Sequence, residues 1–288
     1  MVQGRLPDEG PAQLGSVILQ AGRLVMGNQP KQPVAWATVD PVPQAGRVWA
    51  ALSELHPRTG LVPVQLDGLR VDSMFPRERQ GLPDDALRPW DNGEFSRPED
   101  PREADGLDAG ALLAGRWRDW VPGTDSDDPE DRALRGPFTL EWPGLAAPEH
   151  TPLTPAERQH ALDYVLPRIR QAHRATPAAR IGLIPAGRPA DVLAVIGWDS
   201  LANHGREAVL PLTAVLRSWE DRFGAQLIDV GFADLRLLVE RPPRTLEAAQ
   251  RIAAEQVVLA DDCIDGMRDI PNIAARLVNA PIWTFWWD

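Results

Sequence analysis

Cysteine is nearly missing from this 288-residue chain: Cys263 stands alone, so no internal disulfide can form and oxidative stapling plays no part in the fold. Lysine is nearly missing too. Of the 30 basic residues only Lys31 is a lysine, and the arginines are spread without a dense basic run. That skew, with abundant Ala, Pro and Gly, looks like codon bias in a GC-rich bacterial genome, so the arginine count says little about phosphate recognition. Acidic residues number 41, which leaves a formal net charge of −11. A surface so charged repels nucleic acid, which is excluded as the main partner. No apolar run approaches the roughly 18–20 residues that span a bilayer, and the polar start MVQGRLPDEGPAQLG has no basic-then-apolar leader pattern. A cytoplasmic location without membrane contact is the expectation. The motifs of nucleotide cradling and zinc binding are also lacking: there is no Gly-x-Gly-x-x-Gly after a strand, no Walker-type loop, no Cys-x-x-Cys and no His-x-x-x-His. No cofactor and no metal are expected.

What is present is a folding pattern, clearest from Ile181 to Glu240. Ile181–Pro185 and Val192–Trp198 read as strands joined by a hairpin-length AGRPAD. Pro211 can open a helix, and Leu212, Val215, Leu216, Trp219 and Phe223 fall on one face of it. Gly224 supplies its left-handed stop. Ala225–Gly231 and Leu235–Val239 read as strands, the second with one face solvated. Thr245 caps a helix with Ala249, Ile252, Ala253 and Val257 inward, and Asp269 caps another. The apolar close, Pro281–Asp288, reads as a strand within the sheet.

Upstream, residues 1–15 read as frayed. Ser16–Val25, Pro33–Val39, Leu61–Leu66 and Phe138–Trp142 read as strands, with Pro63 pointing to an edge or a bulge. Ala45–Leu55 and Asp108–Trp120 read as helices, and Thr124–Arg132 as a solvated acidic turn. Asp67–Asp105 is a long polar tract. Thr154, Pro155 and Glu157 predict a capping box opening a helix to about His173. The proline-rich stretch 143–155 suggests a boundary between an N-terminal region, 1–145, and a C-terminal domain, 146–288. Both are expected to be α+β. The second should hold a mixed, largely antiparallel sheet with helices on one face.

The words Gly197-Trp198, LRSWEDRFG (Leu216–Gly224), Pro242-Pro243, AAEQ (Ala253–Gln256) and FWWD (Phe285–Asp288) resemble a bacterial family, the domain of unknown function 4253, frequent in actinomycetes. TGLVPVQL (Thr59–Leu66) and PWDNGEF (Pro89–Phe95) are similar to the region upstream of that domain. The resemblance implies no activity. Relatives carry His where this chain has Gln256, and Cys-Pro-Asp where it has Ala260-Asp261-Asp262. Only Asp262 still matches there, so the resemblance implies that a Cys/His metal or nucleophile role is absent at that spot.

The candidate binding residues are Trp198, Asp199, Asn203 and His204 beyond a strand, together with Asp262, Trp286 and the loop residue Trp90. Asp199, Ser200 and His204 evoke nucleophilic catalysis, but without a Gly-x-Ser-x-Gly elbow turn chemistry is the reading preferred, and no catalytic residue is assigned. Glu157-x-x-His160 has a di-iron spacing that needs a second such motif, which is lacking. Arg217, Glu220, Asp221 and Arg222 read as surface pairs or, alternatively, as a protein-contact face. The expectation is a non-enzymatic protein that binds another protein, as a toxin-neutralising or accessory factor. The alternatives are a hydrolase-like or small-ligand-binding protein using Asp199–His204. The sequence leaves the oligomeric state open.

Overall fold

A computed structural model describes residues 4–27, 32–66, 98–120, 129–166, 180–198, 209–231, 234–260 and 269–287. The strands are β1 (Gly10–Leu14), β2 (Val17–Met26), β3 (Pro33–Thr38), β4 (Val62–Leu66), β5 (Ile181–Ile184), β6 (Ala225–Val230), β7 (Asp234–Val239) and β8 (Ile282–Trp286). They form one eight-stranded sheet in the order β1-β2-β3-β5-β4-β6-β7-β8. Every pairing is antiparallel except β4 with β6, which is parallel through Gln65–Asp229 and Leu66–Val230. β5 lies between β3 and β4, so strands from either side of the boundary expected near residue 145 alternate within a single sheet.

The helices are α1 (Ala45–Thr59), α2 (Ala109–Trp120), α3 (Pro129–Arg135), α4 (Pro155–Val165), α5 (Val192–Ile196), α6 (Val209–Phe223), α7 (Leu246–Leu259) and α8 (Ile270–Leu277). This mixed sheet with helices is the α+β architecture expected. Strand alternation sorts the core into two layers. Val62, Val64 and Leu66 of β4 and Leu235, Leu237 and Val239 of β7 face α2 and α5–α8. Trp36, Ile181, Leu183, Ile228 and Leu238 face the other way, toward α1 and α4. The helices of residues 180–288 therefore share one face, and α4 lies on the opposite one. Leu238, one residue out of step with Leu237, makes β7 apolar on both sides rather than solvated on one.

Local signals read from the sequence account for most elements. Thr154 and Glu157 make both bonds of the capping box at α4. Thr245 accepts from Ala248 N at α7, and Asp269 from Asn272 N at α8. Gly224 ends α6 at φ 63°, where an L side chain would be strained.

Five local expectations are corrected. Val192–Trp198 is not a strand: after a 3-10 turn at Pro189–Asp191 it forms α5, closed by Gly197 at φ 66°, and all of it but Val195 is buried. A short apolar run fits a buried helix as well as a strand, and here AGRPAD leads into a helix rather than across a hairpin. The frayed start instead contains β1, held by pairing to β2. Phe138–Trp142 is irregular, because its carbonyl at Leu140 accepts from Trp117 Nε1 at 2.9 Å and its two rings pack edge-on against Trp117. Part of the acidic turn, from Pro129, is α3. Pro63 sits in an interior strand, not at an edge. β4 bonds to β6 only from Gln65 onward, so the imide nitrogen at Pro63 interrupts no ladder, and Pro63 O accepts instead from Trp49 Nε1 at 2.7 Å.

Candidate functional site

Among the described residues, polar or aromatic side chains gather in a knot between α6 and α7, at the carboxyl ends of β4 and β6, and on the outer strand β8.

The knot is centred on Glu255, which is fully buried on α7. Its Oε1 accepts from Ala146 N at 2.7 Å and Arg222 Nη1 at 2.7 Å; its Oε2 accepts from Trp219 Nε1 at 2.7 Å and Arg222 Nη2 at 2.6 Å. Arg222 Nη1 also donates to Ala146 O at 2.9 Å. Four donors occupy the carboxylate's lone pairs, so it has nothing left for a substrate. Chemically this is a clamp joining α6, α7 and the segment before α4.

Arg217 and Glu220 behave alike, which corrects the surface-pair reading for them, whereas Asp221, 66% exposed, keeps it in a pair with Arg188. Arg217 donates to Asp191 Oδ1 and Asp105 Oδ1, both at 2.6 Å, and to Pro101 O at 2.8 Å, so it pins the 3-10 turn Pro101–Gly106 onto α6. Glu220 accepts from Ala190 N at 3.1 Å and Arg188 Nε at 3.3 Å. Burial holds the Glu220 carboxyl above its ordinary value of 4.5, with Arg188 and the Ala190 N–H pulling the other way. The folded chain thus binds that proton more tightly than the unfolded chain does. The stability this confers is full at pH below the ordinary value and is lost as pH rises through the raised one. Glu220→Gln is expected to flatten that part of the stability–pH curve, which urea unfolding from about pH 4 to about pH 7 measures.

At the carboxyl ends of the parallel pair, Trp198 packs edge-on against Trp287 with centroids 5.5 Å apart, and donates Nε1 to Gly231 O at 3.0 Å. Trp287 Nε1 reaches Leu259 O at 3.4 Å. Both rings are buried, so Trp198, expected to bind, packs the core instead. On the face toward α1 and α4, Gln65, Asp229, Arg236 and Thr284 occupy paired positions across β4, β6, β7 and β8. Arg236 Nη1 lies 3.3 Å from Asp229 Oδ2. Gln65 Oε1 is buried without a hydrogen-bond partner. An orphaned acceptor there costs about 1–3 kcal/mol. Gln65→Met is therefore expected to stabilise the chain by about 1 kcal/mol in denaturant unfolding. Destabilisation would mean that a water or a bound donor satisfies that oxygen.

Of the other expected site residues, Trp286 lies on β8 and is 39% exposed. Asp199, Asn203, His204, Asp262 and Trp90 lie outside the described residues, as do Ser200 and Cys263. Glu157 serves as the helix cap rather than as a ligand, and His56 Nε2 lies 2.9 Å from Ala186 O. Among the described residues no group of three or more His, Cys, Asp or Glu is placed to hold a metal ion. No helix among them is long and apolar enough to cross a membrane.

Residues 180–288 match the family described as a domain of unknown function (DUF4253). The resemblance read from the motif words thus holds over that stretch. Comparison with curated proteins and with solved structures found no match. Within the DUF4253 stretch the word LRSWEDRFG supplies the clamp and the staples of α6, AAEQ supplies Glu255, and FWWD supplies Phe285 and Trp287 to the core. What the sequence did not single out is Glu255. Its one visible signal was a charge inside the apolar seam of α7.

Proposed function

We propose that this chain is a non-enzymatic binding protein of the cytoplasm that engages another polypeptide through the outer edge of β8. The observation that carries this reading is the character of that edge. A sheet edge is a template for pairing, and soluble proteins blunt it with proline, charge or a bulge. The opposite edge, β1, follows that rule, with Pro11 and a register shift between Gly10 and Ala12. β8 does not: Ile282–Trp287 reads IWTFWW, without a charge or a proline, and it ends in the exposed Trp286. Among the described residues no strand pairs with its outer side. Tryptophan is enriched where binding energy concentrates. The carboxylates of Glu255 and Glu220 and the guanidinium groups of Arg217 and Arg222 are consumed in staples, which favours binding over catalysis. Toxin neutralisation or service as an accessory factor would suit such a surface.

Replacing Trp286 with a benzophenone side chain and irradiating the cells that make the protein tests this reading. Covalent adducts to a polypeptide are expected from position 286 and not from Ile18, an equally apolar but isolated exposed position on β2. Equal yields from the two positions would overturn it.

A further inference from the structure

We infer that the polypeptide seated on β8 is β8 of a second copy of this chain, antiparallel and two-fold symmetric about Thr284. This rests on the reading of β8 as a binding edge and names its occupant. Val239 N donates to Pro281 O at 2.8 Å, and the register then runs Leu238–Ile282, Leu237–Trp283, Arg236–Thr284, Leu235–Phe285 and Asp234–Trp286. In an antiparallel ladder the hydrogen-bonded pairs alternate. The backbone groups of Trp283 and Phe285 are thus directed at β7, and those of Ile282, Thr284 and Trp286 point outward.

Those outward residues are spaced symmetrically about Thr284. A two-fold axis there pairs Thr284 with the second copy's Thr284, and Ile282 with the second copy's Trp286, in both directions. Each such pair exchanges both of its bonds, so every outward N–H and C=O is satisfied. A shift by two residues leaves an outward residue of each strand unpaired. The side chains agree with the centred register. Ile282 and Trp286 share the face turned away from α6, so each copy's isoleucine covers the other's exposed indole, and a Thr–Thr pair lies at the centre. Interfaces of this kind are isologous, which is what a self-complementary strand requires.

Charge does not oppose the pairing, although each copy carries −11. Among the described residues the nearest charges on that face belong to Arg236 and Asp234, one strand inward on β7. The two Arg236 positions end up three strand spacings apart, about 14 Å, beyond the Debye length of roughly 8 Å at physiological salt.

Sedimentation velocity of the full chain from about 1 to about 100 µM tests the inference. The wild type is expected to pass from monomer to dimer across that range. Thr284→Lys sets two ammonium groups against each other on the axis and is expected to weaken the dimer at least about 100-fold, whereas Ile18→Lys leaves it unchanged. Near-ultraviolet circular dichroism checks that the variants keep their tryptophan packing. Should Thr284→Lys fail to fold, Trp286→Lys, at an already exposed position, takes its place with the same expectation. A wild type that stays monomeric to the highest concentration overturns the second-copy assignment, as does a dimer indifferent to both lysine variants. The benzophenone adduct separates this failure from that of the broader reading. A monomeric chain whose residue 286 crosslinks to a different polypeptide loses only the second copy; one with no adduct at all loses the binding edge as well.

Discussion

Glu255→Ala is expected to cost about 3–5 kcal/mol of stability, the loss found when one partner of a buried ion pair is removed. The carboxylate is wholly buried, and four donors end on it. Its removal takes the carboxylate from the Arg222 guanidinium, which is only 11% exposed and keeps just Ala146 O, Ser218 O and Ser218 Oγ, and it leaves Trp219 Nε1 and Ala146 N with no acceptor. A domain holds only about 5–15 kcal/mol in total, so this one change brings the chain close to unfolding at room temperature. Glu255→Gln does not rescue it. One amide oxygen replaces two acceptors, and the amide NH2 faces donors. Removing the whole constellation is different in kind. Glu255→Leu with Arg222→Met and Trp219→Phe takes away every charge and orphaned donor except Ala146 N, and is expected to recover most of the loss. Guanidinium unfolding of the single and combined variants checks both statements. A cost below about 1 kcal/mol for Glu255→Ala, the worth of an exposed pair, would contradict the burial of the clamp.

Trp198→Ala is expected to cost a further about 3–5 kcal/mol by a different route, the cavity left by a large buried ring. Trp198 is 3% exposed, packs on Trp287 and closes the carboxyl end of β6 through Gly231 O. Trp198→Phe keeps most of the volume and loses the hydrogen bond, so about 1–2 kcal/mol is expected. This ordering separates a packing residue from a binding one. A ligand-facing tryptophan would tolerate truncation with little loss of stability and fail in binding instead. Unfolding midpoints of the two variants decide between them.

Much of the scaffold is legible in the sequence where a rule is local. The stripe from Leu212 to Phe223, the stop at Gly224 and the caps at Thr154, Thr245 and Asp269 depend on neighbours within a turn, and all stand where expected. Two kinds of information were not local. The run from Val192 to Trp198 is apolar on every side, so its periodicity cannot tell a buried helix from a strand; Gly197 was the only hint of a helix end. The insertion of β5 between β3 and β4 depends on pairings far apart in the chain, which no spacing within either half announces. The partners of Arg217 and Arg222 on α6 are hidden for the same reason. Arg217 and Arg222 look like solvated helix-end residues until Asp191, Asp105 and Glu255 arrive from other elements. For the candidate site, Trp286 is among the expected residues, but the reason it matters, an outward edge with no charge among its described residues, needs the sheet order. Asp199, Asn203, His204, Asp262 and Trp90 lie beyond the described residues.

On the proposed reading the outer edge of β8 is open in a single chain and filled in the assembly, which amide hydrogen exchange followed residue by residue can tell apart. In a dilute sample the amides of Ile282, Thr284 and Trp286 should exchange rapidly, while those of Trp283 and Phe285, bonded to β7, exchange slowly. On concentration the three outward amides should become as protected as their neighbours. If they are protected equally at every dilution, the edge is covered within the chain itself, and the account of β8 as a binding edge is contradicted.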